Sequence, residues 1–283
     1  LQDERFESAF AIYHQRYSTN TFPQWWLAQP FRMLAHNGEI NTLKGNTNWM
    51  KSHEIRMASS TFGEMAEDIK PIVPQGSSDS AALDSVFEVL VRAGRNAPMA
   101  KTMLIPEAWS KEAAMPAAHR ALYSYCNTVI EPWDGPAAIA ATDGRWVLAG
   151  MDRNGLRPLR YAVSTGGLLV VGSEAGMVAL AETEIIEKGR VGPGRMIAGN
   201  LSEGRLYHDR ELKDALAAER PYGEWVRNIT ELVADPAADE VIPALYEGDE
   251  LRRRQRGAGY SLEDLELILH PMAEIGKEAI GSM

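Results

Sequence analysis

Residues 136–173, PAAIAATDGRWVLAGMDRNGLRPLRYAVSTGGLLVVGS, decide how the chain is read. Four short apolar runs, 137–141, 146–149, 159–163 and 168–171, are cut by Asp143-Gly144, Asn154-Gly155 and Gly166-Gly167. Glycine adopts the positive φ of tight turns without steric cost, so each pair punctuates the chain, and the pattern predicts an antiparallel meander. A third β-like passage at 195–198 leads into the polar turn Asn200-Leu201-Ser202-Glu203-Gly204.

Upstream the periodicity changes. After Ser77-Ser78-Asp79, the residues Leu83, Val86, Phe87 and Leu90 keep the i, i+3, i+4, i+7 spacing of an amphipathic helix that Gly94 closes. Asp79 therefore starts a helix. A second helix is predicted near 115–128, where Ala117, Ala118, Ala121 and Leu122 favour it and Pro132 stops it. Further upstream, apolar and aromatic residues at 10–16 predict a strand ending at Arg16, and Met33-Leu34-Ala35 precedes His36-Asn37-Gly38, an Asn-Gly turn signal at a strand end. Strand, helix and then hairpins argue for α+β with a largely antiparallel sheet.

With 283 residues, 45% apolar and 24% charged, the chain can bury a full core. A net charge of -10 would repel phosphate backbones, and Arg252-Arg253-Arg254 sits among acids, so nucleic acid is not an expected partner. No run approaches the roughly 20 apolar residues of a membrane helix, and no signal-peptide layout opens the chain, so a cytoplasmic home is expected. The single cysteine, Cys126, permits neither an internal disulfide nor a metal or iron–sulfur site built from cysteines here. Residues 235–249, rich in Ala, Pro and acids, mark a linker or domain edge.

Three polar clusters stand at these predicted strand ends and helix start: 14–20, 36–39 and 77–80. Arg16 offers a planar fork for a carboxylate and Asp79 a carboxylate for an ammonium, which together suit a free α-amino acid. The Asn37 amide and the Gly38 backbone N–H are neutral donors suited to a tetrahedral oxyanion. Taken singly, each has a plainer reading: a hairpin turn for Asn37-Gly38, a helix cap contributing about 1 kcal/mol for Asp79, a surface ion pair for Arg16. Composition and spacing leave both readings open.

The runs Tyr13-His14-Gln15-Arg16-Tyr17-Ser18-Thr19-Asn20, Ala35-His36-Asn37-Gly38-Glu39-Ile40-Asn41, Ser77-Ser78-Asp79-Ser80 and Asp152-Arg153-Asn154-Gly155-Leu156-Arg157-Pro158 resemble the class II glutamine amidotransferase domain of glutamate synthases. Near the far end, Gly259 to Asp264 and Pro271 to Glu278 resemble the opening of that family's central domain. The resemblance implies an N-terminal nucleophile hydrolase fold, a four-layer αββα sandwich, here incomplete at its N-terminus. It places the amidotransferase domain at 1–234 and the linker with the start of the central domain at 235–283. It implies hydrolysis of glutamine to glutamate and ammonia for reductive transfer to 2-oxoglutarate. Arg16 would bind the α-carboxylate, Asp79 the α-amino group, and Asn37 with Gly38 the oxyanion, with Thr19 and Tyr17 lining the pocket. The 152–158 stretch is expected to support the fold.

FMN, an iron–sulfur cluster and NADPH or ferredoxin are implied for the full synthase, with none bound by this chain, and a small electron-transfer subunit is the implied partner. The family's nucleophile is an N-terminal cysteine, whereas position 1 is Leu1. A fragment, inactive alone, is therefore expected, with Cys126 a core thiol. A non-catalytic glutamine-binding module or another class II amidotransferase are the alternatives.

Overall fold

The computed structural model describes residues 3–15, 23–55, 57, 61–110, 112, 114–230 and 245–276. The chain forms two compact units, Leu1–Ile229 and Thr230–Met283. In the first, a five-stranded antiparallel sheet runs β1 (Leu34–Gly38), β2 (Ala137–Thr142), β3 (Trp146–Met151), β7 (Met196–Asn200), β8 (Arg205–Tyr207). A second, three-stranded sheet places β4 (Arg160–Ser164) between β5 (Leu169–Gly172) and β6 (Ile185–Arg190). The α+β class and antiparallel pairing are as the sequence predicts.

Helices α1 (Leu43–Ile55), α2 (Asp79–Arg92), α3 (Ala97–Leu104), α4 (Ala117–Val129) and α5 (Asp209–Ala218), with the short α6 (Tyr222–Trp225), complete the unit. Leu83, Phe87, Met103, Leu122, Leu212 and Leu216 from these helices share one core with Leu34, Ile139 and Leu148 of the sheet. The opposite face of that sheet packs on the second sheet through Ala138, Met151, Leu159, Val191 and Ile197. The described layers are thus helices, sheet and sheet. On β6, Ile186, Lys188 and Arg190 are exposed and alternate with half-buried neighbours, so one face of the second sheet is wet among the described residues.

Three expectations change. The meander is divided between the sheets: Asp143-Gly144 closes the β2–β3 hairpin and Gly166-Gly167 the β4–β5 hairpin, but Asn154-Gly155 carries the chain from one sheet to the other. The cause is Asp152, whose buried carboxylate accepts the amides of Asn154 and Gly155 and also that of Ala137, turning the chain away from β3. No strand forms over 10–15, although alternate residues there are half-buried. Asn37-Gly38 is the end of a strand, not a hairpin, since both residues pair with β2, Asn37 with Ala138 and Gly38 with Ala137.

In the second unit, α7 (Gly248–Gly257) carries the arginine run, with Arg254 hydrogen-bonded to Glu250, and a π-helical turn at Asp264–Leu269 leads into α8 (His270–Ile275). No described helix is long and apolar enough to cross a membrane.

Candidate functional site

The site is built where α2 lies along β1. Ser78 caps α2 by accepting the Ala81 amide at 3.1 Å, so Asp79 is not the cap and its carboxylate is free for other work. One oxygen, Oδ2, accepts the Ile40 amide at 2.9 Å. One turn further along, Asp84 Oδ1 accepts the amides of Met33 and Leu34 at 2.9 and 3.0 Å. Burial pushes the Asp84 carboxyl up against these hydrogen bonds, which favour its charge. Between the two aspartates, Ser80 Oγ lies 2.8 Å from His36 Nδ1. Three residues of one helix face therefore hold β1 at its start, middle and exit.

Alternation along an antiparallel strand points the amides of Leu34, His36, Gly38 and Ile40 toward the same edge, away from β2. Asp84 takes the first, Gln29 Oε1 the second at 2.6 Å, and Asp79 the fourth. No acceptor for the Gly38 amide appears among the described residues, where β1 is the outermost strand of its sheet. The result is one open donor in a row whose neighbours are satisfied, next to the exposed side chain of Asn37 and the half-buried Asp79.

Only glycine fits at position 38. Its φ is +154°, and a Cβ there would stand 1.7 Å from the Pro136 carbonyl oxygen and 2.9 Å from His36 Nε2. Residues 134–137 are pressed against β1 and its exit by further bonds, Glu39 N–H to the Pro136 carbonyl and Asn41 N–H to that of Asp134. The turn predicted to support the fold supplies the clamp. Asp152 holds Ala137, and Arg153 grips Asp134 with two hydrogen bonds of 3.0 and 2.6 Å.

His36 is 2% exposed, and its Nε2 faces the Pro136 carbonyl with no hydrogen bond of ordinary geometry among the described residues. Burial holds its imidazole below the ordinary histidine value. Asp79 and the Pro136 carbonyl favour the protonated ring, and His14 and Arg157 oppose it. Sequence reasoning placed this histidine in the 36–39 polar cluster but gave it no role of its own.

Arg16, Tyr17 and Thr19 lie outside the described residues. Asn37, Gly38 and Asp79 are brought together. Cys126 is 3% exposed on α4, and burial pushes its thiol up to about 12, the opposite of an activated nucleophile. A separate cavity of about 520 Å³ is lined by Glu107, His119, Tyr161, Arg195, His208 and Lys213. None of Asn37, Gly38 and Asp79 reaches it.

The family profile described as "Glutamine amidotransferases class-II" matches residues 1–225. The chain belongs to the class II glutamine amidotransferases. This amidotransferase is 62% identical over 285 residues to the glutamate synthase [NADPH] large chain of Azospirillum brasilense, covering 100% of this chain and 19% of the relative. It is 44% identical over 284 residues to the corresponding large chain of Bacillus subtilis, covering 100% and 18%. It is also 44% identical over 282 residues to the ferredoxin-dependent glutamate synthase of Spinacia oleracea, a chloroplastic protein, covering 98% and 17%. The chain thus spans less than one-fifth of the length of these relatives.

Among solved structures, an allosteric regulatory enzyme of purine biosynthesis aligns at 18% identity over 69% of this chain and 34% of its own, with a TM-score of 0.39. The glutamine phosphoribosylpyrophosphate amidotransferase of B. subtilis aligns at 19% over the same shares, with a TM-score of 0.37.

Proposed function

We propose that this chain is the glutamine-hydrolysing part of a glutamate synthase, and that Asn37, Gly38 and Asp79 belong to its glutamine pocket. The observation that carries the reading is the Gly38 amide, the open donor in an otherwise satisfied row, placed between a solvent-facing carboxamide and the half-buried carboxylate of Asp79. In the reaction, a thiolate attacks the amide carbon of glutamine and the carbonyl oxygen becomes an oxyanion. Asn37 Nδ2–H and Gly38 N–H donate to that oxygen, stabilising the charge where it develops. The intermediate collapses, ammonia leaves with a proton, and water cleaves the thioester to give glutamate.

Asp79 holds the substrate ammonium, and Arg16 its carboxylate, with Tyr17 and Thr19 along the wall. Burial leaves Cys126 unsuited to attack, and the nucleophile this reading calls for is the N-terminal cysteine of the family's pattern. Residues 1–234 form the amidotransferase domain and 235–283 the linker and start of the next. The family match through residue 225 and the change of compact unit after Ile229 support that division.

The ammonia is passed to a reductive site that makes glutamate from 2-oxoglutarate in the cytoplasm. One cysteine cannot ligate an iron–sulfur cluster, so the cluster lies elsewhere in the assembly, and the reading assigns the FMN and the NADPH- or ferredoxin-linked step, with any small electron-transfer subunit, to the rest of the synthase as well. The test is glutamine hydrolysis by the full-length protein, wild type against Asn37→Ala. A loss of about 10²- to 10³-fold in kcat with a smaller change in KM supports the oxyanion role, and an unchanged kcat overturns it.

A further inference from the structure

We infer that His36 is a positioning residue for glutamine hydrolysis, tying the oxyanion donors to the carboxylate that receives the substrate's amino group. The inference rests on the pocket assignment above and adds a residue to it. His36 and Gly38 lie two apart on β1, so their side-chain positions share one face of the strand. The ring of His36 occupies the space next to the position a side chain at 38 would take, with Nε2 2.9 Å from that missing Cβ and directed at the Pro136 side of the clamp.

Its other nitrogen, Nδ1, lies 2.8 Å from Ser80 Oγ, and that hydroxyl is 3.3 Å from Asp79 Oδ1. The backbone amide of His36 is held by Gln29, which fixes the strand on the third side. A continuous buried path therefore runs from the Pro136–Gly38 contact through imidazole and hydroxyl to Asp79. No other side chain described at the site touches both ends. The Asp84 contact secures the start of β1 but stops short of Gly38, and the Asp79 contact with Ile40 lies beyond it. Without the imidazole, the Gly38 peptide and the Asp79 carboxylate are joined only through the exit of the strand at Ile40, and a shift of about 1 Å is enough to cost about 10²-fold in rate.

The experiment uses the full-length protein and compares wild type with His36→Leu, His36→Asn, Ser80→Ala and His36→Leu/Ser80→Ala. Glutamine hydrolysis is read as kcat and KM, with synthesis from added ammonia as the control for an intact assembly. Leucine fills the volume without a nitrogen, whereas asparagine keeps a nitrogen at the Nδ1 position. We expect His36→Leu to lose about 10²-fold in kcat with a raised KM, His36→Asn to recover most of it, and Ser80→Ala to add little to His36→Leu, all at unchanged ammonia-dependent synthesis.

Equal losses in His36→Leu and His36→Asn, additive with Ser80→Ala, would overturn the inference in favour of simple packing. So would unchanged kinetics in His36→Leu, or a parallel loss of ammonia-dependent synthesis. Failure of the wild type to hydrolyse glutamine at all would instead sink the functional reading.

Discussion

Replacing Lys101 by methionine is expected to stabilise the protein, and the effect is expected to fade with rising pH. Lys101 is 1% exposed on α3, with its stem against Gly150. No described carboxylate comes within ion-pair distance of its ammonium, because Lys213 holds both nearby acids, Glu107 at 2.9 Å and Asp209 at 3.0 Å. Burial, reinforced by the like charge of Lys213, lowers the Lys101 ammonium from 10.5 to about 7, against the attraction of Asp209, Glu107 and Asp152. That difference corresponds to a ceiling of about 5 kcal/mol. Exchanging buried ions for apolar groups of similar volume returns about 1–4 kcal/mol in practice, and that is the gain expected near pH 7.

The sign follows from proton counting. Between pH 7 and 10.5 the unfolded chain holds a proton on Lys101 that the folded chain has lost, so stability rises with pH across that window and is lowest below it. Equilibrium urea unfolding of wild type and Lys101→Met at pH 7, 8.5 and 10, with far-UV circular dichroism, should show a gap that narrows to about 1 kcal/mol or less at pH 10. A variant no more stable than wild type at pH 7, or a gap that does not change with pH, would refute the reasoning.

Other outcomes follow from the site. Gly38→Ala is expected to abolish glutamine hydrolysis by the full-length protein, since the added carbon meets the Pro136 oxygen; retention of more than about a hundredth of wild-type kcat would contradict the close approach. Asp79→Asn should raise KM for glutamine by about 10- to 100-fold, the loss of a charge-assisted contact, with a smaller effect on kcat, as steady-state kinetics would show. Asp152→Ala leaves the buried amide of Ala137 unmatched and should lower stability by about 1–3 kcal/mol in the same urea assay. Cys126 should resist a maleimide in the native protein and react only after unfolding, as intact mass would report.

The helix carrying Asp79 was legible because two independent signals agreed, apolar spacing from Leu83 to Leu90 and a cluster of capping residues just before it. The neighbouring Asn37-Gly38 was legible as chemistry but not as structure. Its turn propensity is local, whereas the strand it joins is imposed by Ala137 and Ala138, a hundred residues away. The same limit applies at Asn154-Gly155, where a turn signal cannot say which sheet receives the next strand. Helix α3 escaped detection because all of its residues are buried, which leaves no polar face to set a period, and α1 because only Asn46 and Met50 of its thirteen residues are buried. His36 and Ser80 gave no signal of their own, since their meaning arises only when β1 and α2 are laid side by side.

The satisfied amides of β1 also govern what the protein can mistake for a ligand. An unprotected outer strand offers a ladder, and any extended segment, from its own chain or a neighbour's, can add to it. Here side chains from Asp84, Gln29 and Asp79 have closed that ladder rung by rung except at Gly38. What remains of the donor row among the described residues is the Gly38 amide, one N–H that a single oxygen atom of a small molecule can meet.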